Sequence, residues 1–217
     1  MPKTVKKKDL VSPKLKILIA THNQSKLKRY KKLLGFIDSI DLVSLNDLDI
    51  AEKVEEVFDT NRENAIHKAR IYGKLSGLPT ISIDEALITN FLPDNEQPGV
   101  YVRRFLDGKS ELSDEVLIDT WQKIFKLYPQ ADKQFIFNFA IAYYNPQNGI
   151  EHTDYVKQVS YQASYLSKNR RAGYPMSSFL SPKKDGKPYV EFDQLEADKI
   201  ETANFSNFIK SFQKWLQ

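Results

Sequence analysis

The residues with the clearest chemical potential follow a short apolar run near the start of the chain. Thr21, Asn23 and Lys26 come directly after the run 17–20, at a spacing that places them around the beginning of a helix. The first N–H groups of a helix have no intrahelical partner and the helix dipole is positive there, so a phosphate group can bind to them. Lys26 would add a full positive charge. No glycine-rich phosphate loop is present in the sequence, and an N-capped helix with surface lysines is an equally good interpretation of these residues taken alone.

Two pairs of acidic residues are candidates for holding a metal ion. Glu55 and Glu56 precede a predicted helix, and Asp84 and Glu85 follow the predicted strand 80–83. Ligands of α/β proteins bind at the carboxyl ends of the strands, so we expect Asp84 to lie near the loop after the first strand. Magnesium prefers a few carboxylates together with substrate phosphates, and it would neutralise a polyphosphate and activate a water for in-line attack. The alternative is that these acids are solvated, as most are.

The elements that must position these residues alternate between strands and helices in the first part of the chain, and long strands dominate the middle. Asn23 or Ser25 can cap the first helix, and Thr60 followed by Glu63 is typical of a capping box. Apolar periodicity predicts strands at 16–20, 41–43, 80–83, 134–144 and 152–166, and helices at 24–34, 60–75, 113–128 and 198–216. This order predicts a mixed α/β fold whose central sheet is longer than an ordinary nucleotide-binding sheet.

Composition and charge exclude several classes of protein. The 217 residues include no cysteine, which excludes a disulfide-stapled scaffold, a Cys-ligated zinc site and a cysteine nucleophile. The formal net charge is +4, but residues 1–16 hold six Lys and one Asp, so the remainder carries one more acidic than basic residue. We predict a flexible basic tail over residues 1–14, and we prefer a solubilising segment to a nucleic-acid partner. The run 17–20 is too short for a signal peptide or a membrane span, so we expect a cytoplasmic protein without a membrane partner.

Four segments, in order, resemble the inosine and xanthosine triphosphate pyrophosphatases, the Ham1-like family that removes non-canonical purine nucleotides. Residues 19–28 are similar to its opening motif, in which Ser or Thr is followed by Asn and then Lys. Residues 55–70 resemble its acidic loop and the helix with the pattern Glu-Asn-Ala-x-x-Lys-Ala. Residues 78–84 resemble its Leu-Pro to Asp-Asp segment, and residues 98–105 its Pro-Gly-x-Tyr-x-x-Arg motif with a following aromatic residue. These segments lie in the first half of the chain, and the second half matches in pattern more than in letters.

The resemblance implies an activity and a shape. The family hydrolyses nucleoside triphosphates between the α- and β-phosphates with magnesium, gives monophosphate and pyrophosphate, and is usually a homodimer. It implies an elongated two-lobed mixed sheet flanked by helices, with the nucleotide in a cleft between the lobes. Residues 15–217 would form one domain, with a central lobe at about 15–110 plus the C-terminal helix and a second lobe at about 111–195.

The resemblance also implies roles for individual residues. Asp84 and Lys26 would be catalytic, with Asp84 as the base. Asp84 and Glu56 would hold magnesium, and Glu55 and Glu85 stay open as alternative ligands. Substrate binding would involve Thr21, His22, Asn23, Gln24, Ser25, Lys26, Glu85, Gly173, Tyr174, Lys199, Asn204 and Phe205.

The chain departs from the family pattern at several of these positions. Ile83 stands where the family has the first of two Asp residues, and Glu85 stands where it has Ser. Ala172 replaces the aromatic residue that stacks on the base, the orienting Asp before Pro175 is missing, and residues 203–205 replace Ser-His-Arg. We therefore predict an active pyrophosphatase with altered base recognition. The alternative is a catalytically impaired nucleotide-binding or interaction protein that retains the fold.

Overall fold

A mixed six-stranded sheet forms the centre of the computed structural model, which describes residues 13–104 and 106–217. The strands are β1 (Leu15–Ile19), β2 (Ile40–Ser44), β3 (Thr80–Thr89), β4 (Gln134–Tyr144), β5 (Glu151–Gln162) and β6 (Leu180–Ser181). Their order is β2-β1-β3-β4-β5-β6, with β1 parallel to β2 and β3 and the later neighbours antiparallel. Within the described ranges the α-helices are α1 (Gln24–Leu34), α2 (Asn61–Ser76), α3 (Asp114–Leu127) and α4 (Gln194–Trp215). The predicted mixed α/β fold is confirmed, whereas most of the predicted tail 1–14 lies outside the described residues, as does Phe105.

Strand β3 differs from the prediction. It continues to Thr89 instead of ending at Ile83, because its residues from Asp84 onward pair with β4 in antiparallel register. Asp84 and Glu85 interrupt the apolar pattern, so a prediction based on that pattern stops too early. Asp84 therefore lies in the middle of a ten-residue strand and not at its end.

Two other elements differ from the prediction by four residues at one end. β5 ends at Gln162 instead of 166, where the chain turns toward β6. α4 begins at Gln194 instead of 198, because Asp193 accepts a hydrogen bond from the N–H of Glu196 while the Glu196 side chain accepts one from the N–H of Asp193. No helix in the described ranges, α4 included, combines the length and apolar character needed to cross a membrane.

The two faces of the sheet carry different helices, because side chains alternate between faces along each strand. On one face, α1 and α4 share an apolar cluster with Ile83 and Phe139, and α3 packs in a second cluster that contains Leu87. On the opposite face, Ala65 of α2 packs against Ala140 of β4. A cavity opens on the first face, between α1 and α4 on one side and α3 on the other.

Candidate active site

β1 ends before β3 does, so part of β3 faces the start of α1. β1 pairs with β3 through Leu18 and Ile19, and the chain then leaves the sheet and enters α1 while β3 continues. Asp84 and Glu85 therefore lie just beyond the carboxyl end of β1. What ends near Asp84 is the parallel pairing with β1, and this position is the crevice in which α/β proteins bind ligands.

Asp84 and Glu85 are neighbours on one strand, so their side chains point to opposite faces of the sheet. Lys68 of α2 donates to Oδ1 of Asp84 at 2.7 Å. Lys26 of α1 lies 2.8 Å from Oε1 of Glu85, and both of these side chains are largely buried. Burial opposes the charge on Lys26, but Glu85 outweighs it and raises the pKa of Lys26. Each acid therefore has its own lysine, on its own face of the sheet.

Lys68 connects Asp84 to the acidic loop before α2. Its Nζ lies 3.0 Å from Oε1 of Glu56 and also donates to the carbonyl oxygen of Ile83 at 3.2 Å. Nη2 of Arg104 donates to the other oxygen of Glu56 at 2.8 Å. Lys68 was not assigned a role from the sequence, although it lies in the Glu-Asn-Ala-x-x-Lys-Ala segment that carried the resemblance.

Asp84 is the most strongly perturbed acid of this group. It is 4% exposed, and its Oδ2 is buried without a hydrogen-bond partner among the described residues. Burial raises the pKa of Asp84 to about 7 and the neighbouring Glu56 adds to the rise, although Lys68 acts in the opposite direction. Burial also opposes the charge on Glu56, but Lys68 and the other partners lower the pKa of that carboxyl to about 2. Asp84 can therefore exchange a proton near neutral pH while Glu56 stays charged.

The donor set at Asp84 and Glu56 fits a magnesium ion that is shared with a substrate. The unpartnered Oδ2 of Asp84 is a free carboxylate oxygen next to a second carboxylate. Residues 13–104 and 106–217 contain no group of three or more His, Cys, Asp and Glu side chains that could hold a metal ion. Magnesium characteristically takes one or two carboxylates and completes its shell with water and phosphate oxygens.

The N-terminus of α1 is capped as the sequence predicted, by Asn23. Oδ1 of Asn23 accepts from the N–H groups of Ser25 at 2.9 Å and Lys26 at 3.1 Å, and Oγ1 of Thr21 accepts from the N–H of Asn23 at 3.1 Å. The cap therefore uses two of the N–H groups that were predicted to bind phosphate. A phosphate at this position competes with the Asn23 side chain for these donors.

Three other predicted residues, His22, Gln24 and Glu55, lie outside the arrangement just described. Nε2 of His22 lies 2.9 Å from the carbonyl oxygen of Glu52 and 3.3 Å from the hydroxyl of Tyr72, so the structure assigns it to holding the loop before α2. Gln24 and Glu55 are exposed. His22 therefore has two partners within the chain, and its contact with substrate stays a prediction.

The loop at residue 173 docks onto the same helix start. Oγ of Ser25 donates to the carbonyl oxygen of Ala172 at 2.8 Å. Gly173 has φ +77°, and a Cβ at this residue would lie 2.8 Å from Oγ of Ser25 and 3.1 Å from its Cβ. Glycine is therefore required both by the backbone conformation and by the close approach to α1. The docked loop carries Tyr174 into the wall of the cavity.

The cavity on the first face of the sheet has a volume of about 500 Å³. Its floor is formed by β3, β4 and β5, and its walls by α1, α4, the loop at 171–177 and part of α3. Five of the residues predicted to bind substrate line it: Ser25, Glu85, Gly173, Tyr174 and Asn204.

Two predicted residues on α4 do not line the cavity. Lys199 is exposed on the helix surface, outside the lining. Phe205 is fully buried, with its ring centroid 5.4 Å from that of Phe139 and 5.9 Å from that of Tyr30. It belongs to the apolar stripe of α4 and packs in the cluster with α1, so a contact of Phe205 with substrate stays a prediction.

A charged pair that was not predicted from the sequence lies in the wall of the cavity. Arg29 of α1 donates from Nε to Oε1 of Glu201 of α4 at 2.6 Å. Its guanidinium lies over three aromatic rings, at 4.7 Å from the centroid of Tyr174, 5.6 Å from that of Phe139 and 5.7 Å from that of Phe205. The local signal was the spacing from Lys26, which places Arg29 on the same side of α1 one turn later.

Comparison with known proteins shows which family this chain resembles in sequence. The model of the Ham1 family matches residues 17–202. A dITP/XTP pyrophosphatase from Pseudomonas syringae pv. tomato is 38% identical over 95 residues, which are 44% of this chain and 46% of that protein. The chain thus spans about half the length of the curated relatives it matches.

Solved structures extend the likeness to nearly the whole chain. A HAM1 protein from Coxiella burnetii has a TM-score of 0.73 at 23% identity and covers 92% of this chain and 99% of its own, which shows the fold. A nucleoside-triphosphatase and dITP/XTP pyrophosphatase from Mycobacterium abscessus has a TM-score of 0.64 at 25% identity, with 89% of this chain and 97% of its own covered. Because the family model covers most of the chain and the fold agrees, the protein belongs to the Ham1 family.

Proposed function

We propose that this protein hydrolyses nucleoside triphosphates to nucleoside monophosphate and pyrophosphate, in a reaction that depends on Mg²⁺ and with base recognition that differs from its relatives. The observation that carries the proposal is Asp84, whose buried oxygen without a partner lies beside Glu56 and whose other oxygen is held by Lys68. Membership of the Ham1 family and the printed names of the relatives support the reaction class.

In this proposal, Asp84 is the general base. A carboxylate with a pKa of about 7 accepts a proton from an attacking water more readily than an ordinary Asp does. Lys68 fixes the orientation of Asp84 and keeps Glu56 charged beside it. Glu56 and Asp84 would hold Mg²⁺, which when bound neutralises phosphate charge and acidifies a water.

The phosphates would bind between the start of α1 and the edge of β3. Lys26 carries the positive charge, and the N–H groups now capped by Asn23 would be shared with phosphate oxygens, with Thr21 beside them. Glu85 competes with the phosphates for Lys26, so binding has to exchange one anionic partner of Lys26 for another. The nucleoside would extend into the cavity next to Ser25, Gly173 and Asn204.

The test is a panel of canonical, deaminated and modified nucleoside triphosphates with detection of pyrophosphate at fixed Mg²⁺. We expect pyrophosphate release from at least one nucleotide, and a loss of about 100-fold or more in the variant Asp84→Asn. Asp119→Asn, which changes an exposed acid on α3, is the matched control and should keep its activity. Absence of turnover with every nucleotide would contradict the proposal.

A second candidate is a nucleotide-binding protein without catalysis. The observation that favours it is the pair of residues that flank Asp84. Ile83 packs in the apolar cluster with α1 and α4, and Glu85 forms an ion pair with Lys26. This candidate predicts nucleotide binding of equal affinity with and without Mg²⁺, and no pyrophosphate. Isothermal titration calorimetry on the same panel separates the two functions.

The proposal includes a cytoplasmic homodimer in which each subunit is one two-lobed domain. The lobes are supported by two apolar clusters, one that joins α1 to α4 and one around α3 and residues 176–180. Analytical ultracentrifugation tests the dimer, and a monomer at micromolar concentration would remove that part of the proposal. We do not propose a nucleic-acid or membrane partner.

A further inference from the structure

The part of the cavity that would receive the nucleobase contains a charged group. It lies in the region where this chain departs from the base-recognition residues that the resemblance implies. Ala172, Asn204 and Phe205 stand at positions where the resemblance led us to expect the stacking and hydrogen-bonding side chains. Between the 172 loop and α4, in the same wall, the structure has Arg29 paired with Glu201. This arrangement brings a guanidinium into the cavity from α1.

The position of Arg29 relative to the phosphate site favours contact with the nucleoside. It follows Lys26 by three residues, which corresponds to about 4.5 Å along the helix axis, away from the N-terminus that would bind phosphate. Its surroundings are the aromatic rings of Tyr174, Phe139 and Phe205. Such apolar surfaces suit a flat base better than a phosphate, which needs several polar partners.

Arg29 is held rigidly and still has donors to offer. The ion pair with Glu201 and the contact with the ring of Tyr174 fix the plane of the guanidinium, and the Arg29 side chain is 15% exposed. Among residues 13–104 and 106–217, the hydrogen bond from Nε is the one that its side chain makes, so Nη1 and Nη2 have no partner there. The buried hydroxyl of Tyr174 also lacks a partner within these residues. A polar ligand in the cavity would offer acceptors to Nη1 and Nη2 of Arg29.

We infer that Arg29 selects nucleotides whose purine carries an oxygen at C6, through the two terminal nitrogens of its guanidinium. The inference rests on the proposed function and names a specificity-determining residue for it. A guanidinium is a donor only, in a planar fork that matches two neighbouring acceptors such as O6 and N7 of a 6-oxopurine. A 6-aminopurine presents a donor at C6, which leaves one arm of the fork without an acceptor. α1 would thus supply the guanidinium that the altered segment 203–205 of α4 lacks.

The test compares inosine triphosphate with adenosine triphosphate, which differ at C6. In the wild-type protein we expect a higher kcat/KM for inosine triphosphate, and Arg29→Gln should lower the ratio of the two values by about 10- to 100-fold. Arg29→Lys keeps the charge but loses the fork, so it should recover part of the ratio. Lys31→Gln is the matched control, because Lys31 lies on the same helix, pairs with Asp47 at 3.6 Å and does not line the cavity; its ratio should equal that of the wild type.

A second variant protects the test against a folding defect. Arg29→Gln leaves Glu201 without its partner, so the double variant Arg29→Gln/Glu201→Gln is measured alongside it, and urea unfolding verifies that both fold. The ratio should fall in both variants. A wild type without preference between the two nucleotides, or variants that lose both activities equally, would overturn the inference and would point to a general binding role for Arg29.

Binding of the monophosphates separates this inference from the proposed function. Calorimetry with inosine and adenosine monophosphate, in the absence of metal, should show a preference for the 6-oxopurine that Arg29→Gln removes. If no triphosphate is hydrolysed but this preference depends on Arg29, the inference stands and the proposed function fails. If pyrophosphate is released but neither the binding preference nor the kcat/KM ratio changes in Arg29→Gln, the proposed function stands and the inference fails.

Discussion

The variant Asp84→Asn should unfold less readily than the wild type at neutral pH, although it removes the proposed catalytic base. The pKa of an ordinary Asp is 3.8, and burial raises that of Asp84 in the folded protein to about 7. Between these values the native state binds more protons at this residue than the unfolded state does. The free energy of unfolding therefore falls as the pH rises through this window. Asn cannot ionise, so the free energy of unfolding of the variant does not fall for this reason as the pH rises.

The size of the effect follows from the two pKa values. At about 1.36 kcal/mol for each pH unit, the cost of ionising Asp84 in the folded state reaches about 4 kcal/mol at pH 8, and it is about 2 kcal/mol at pH 5. Asp84 is 4% exposed, so solvent screens the effect little. The pKa of Glu56 is lowered to about 2, so its own contribution varies below pH 5 and does not disturb this range.

The assay is urea unfolding at pH 5, 6.5 and 8 with a metal chelator present, followed by tryptophan fluorescence. Trp121 of α3 is fully buried, so its emission reports loss of the fold. We expect the advantage of Asp84→Asn over the wild type to grow with pH, whereas the control Asp119→Asn should match the wild type throughout. An advantage that is constant with pH, or a variant less stable than the wild type at pH 8, would refute the reasoning.

Three further predictions concern the same region. Adding Mg²⁺ should raise the midpoint of thermal unfolding of the wild type but not of Asp84→Asn; an equal rise in both would mean that the ion binds elsewhere. Gly173→Ala should destabilise the protein by about 1–2 kcal/mol through its positive φ alone, as should Gly77→Ala, which has open space around it. Any loss of stability in Gly173→Ala beyond that in Gly77→Ala, measured by urea unfolding, reports the contact with Ser25. This additional loss should be accompanied by weaker nucleotide binding. Lys68→Met removes the cation that lowers the pKa of Asp84, so the acid limb of the pH–rate profile should move to higher pH.

The sequence was a good guide to the fold where one physical pattern dominates. β4 occupies 134–144 as predicted, because its alternation of apolar residues is uninterrupted. Asn23 was a correct candidate for the cap of α1, since the cap depends on residues within one helical turn. β3 was predicted too short, because Asp84 and Glu85 take part in the strand through ion pairs that come from α2 and α1 and are not visible in a local pattern.

The candidate site was less predictable than the fold. Arg29 and Glu201 meet although 172 residues separate them, and nothing in either local segment indicates the pair. Phe205 was assigned to substrate by its aligned position, but its spacing from Phe208 and Phe212 places it on the buried stripe of α4. The resemblance indicates which positions of this chain correspond to those of the family. The helix periodicity of this chain decides which of their side chains reach the cavity.

The opposite orientations of Asp84 and Glu85 also have a consequence for folding. If β3 slipped by one residue along β4, one of the two acids would take the place of the other and face the wrong lysine, while the remaining lysine would face Ile83 or Ala86. Each one-residue slip therefore breaks both native ion pairs and leaves one acid and one lysine unmatched. The two ion pairs therefore favour the native register of β3 over a register shifted by one residue. A one-residue insertion or deletion between 82 and 85 should be tolerated less well than one in the loops on either side of β3.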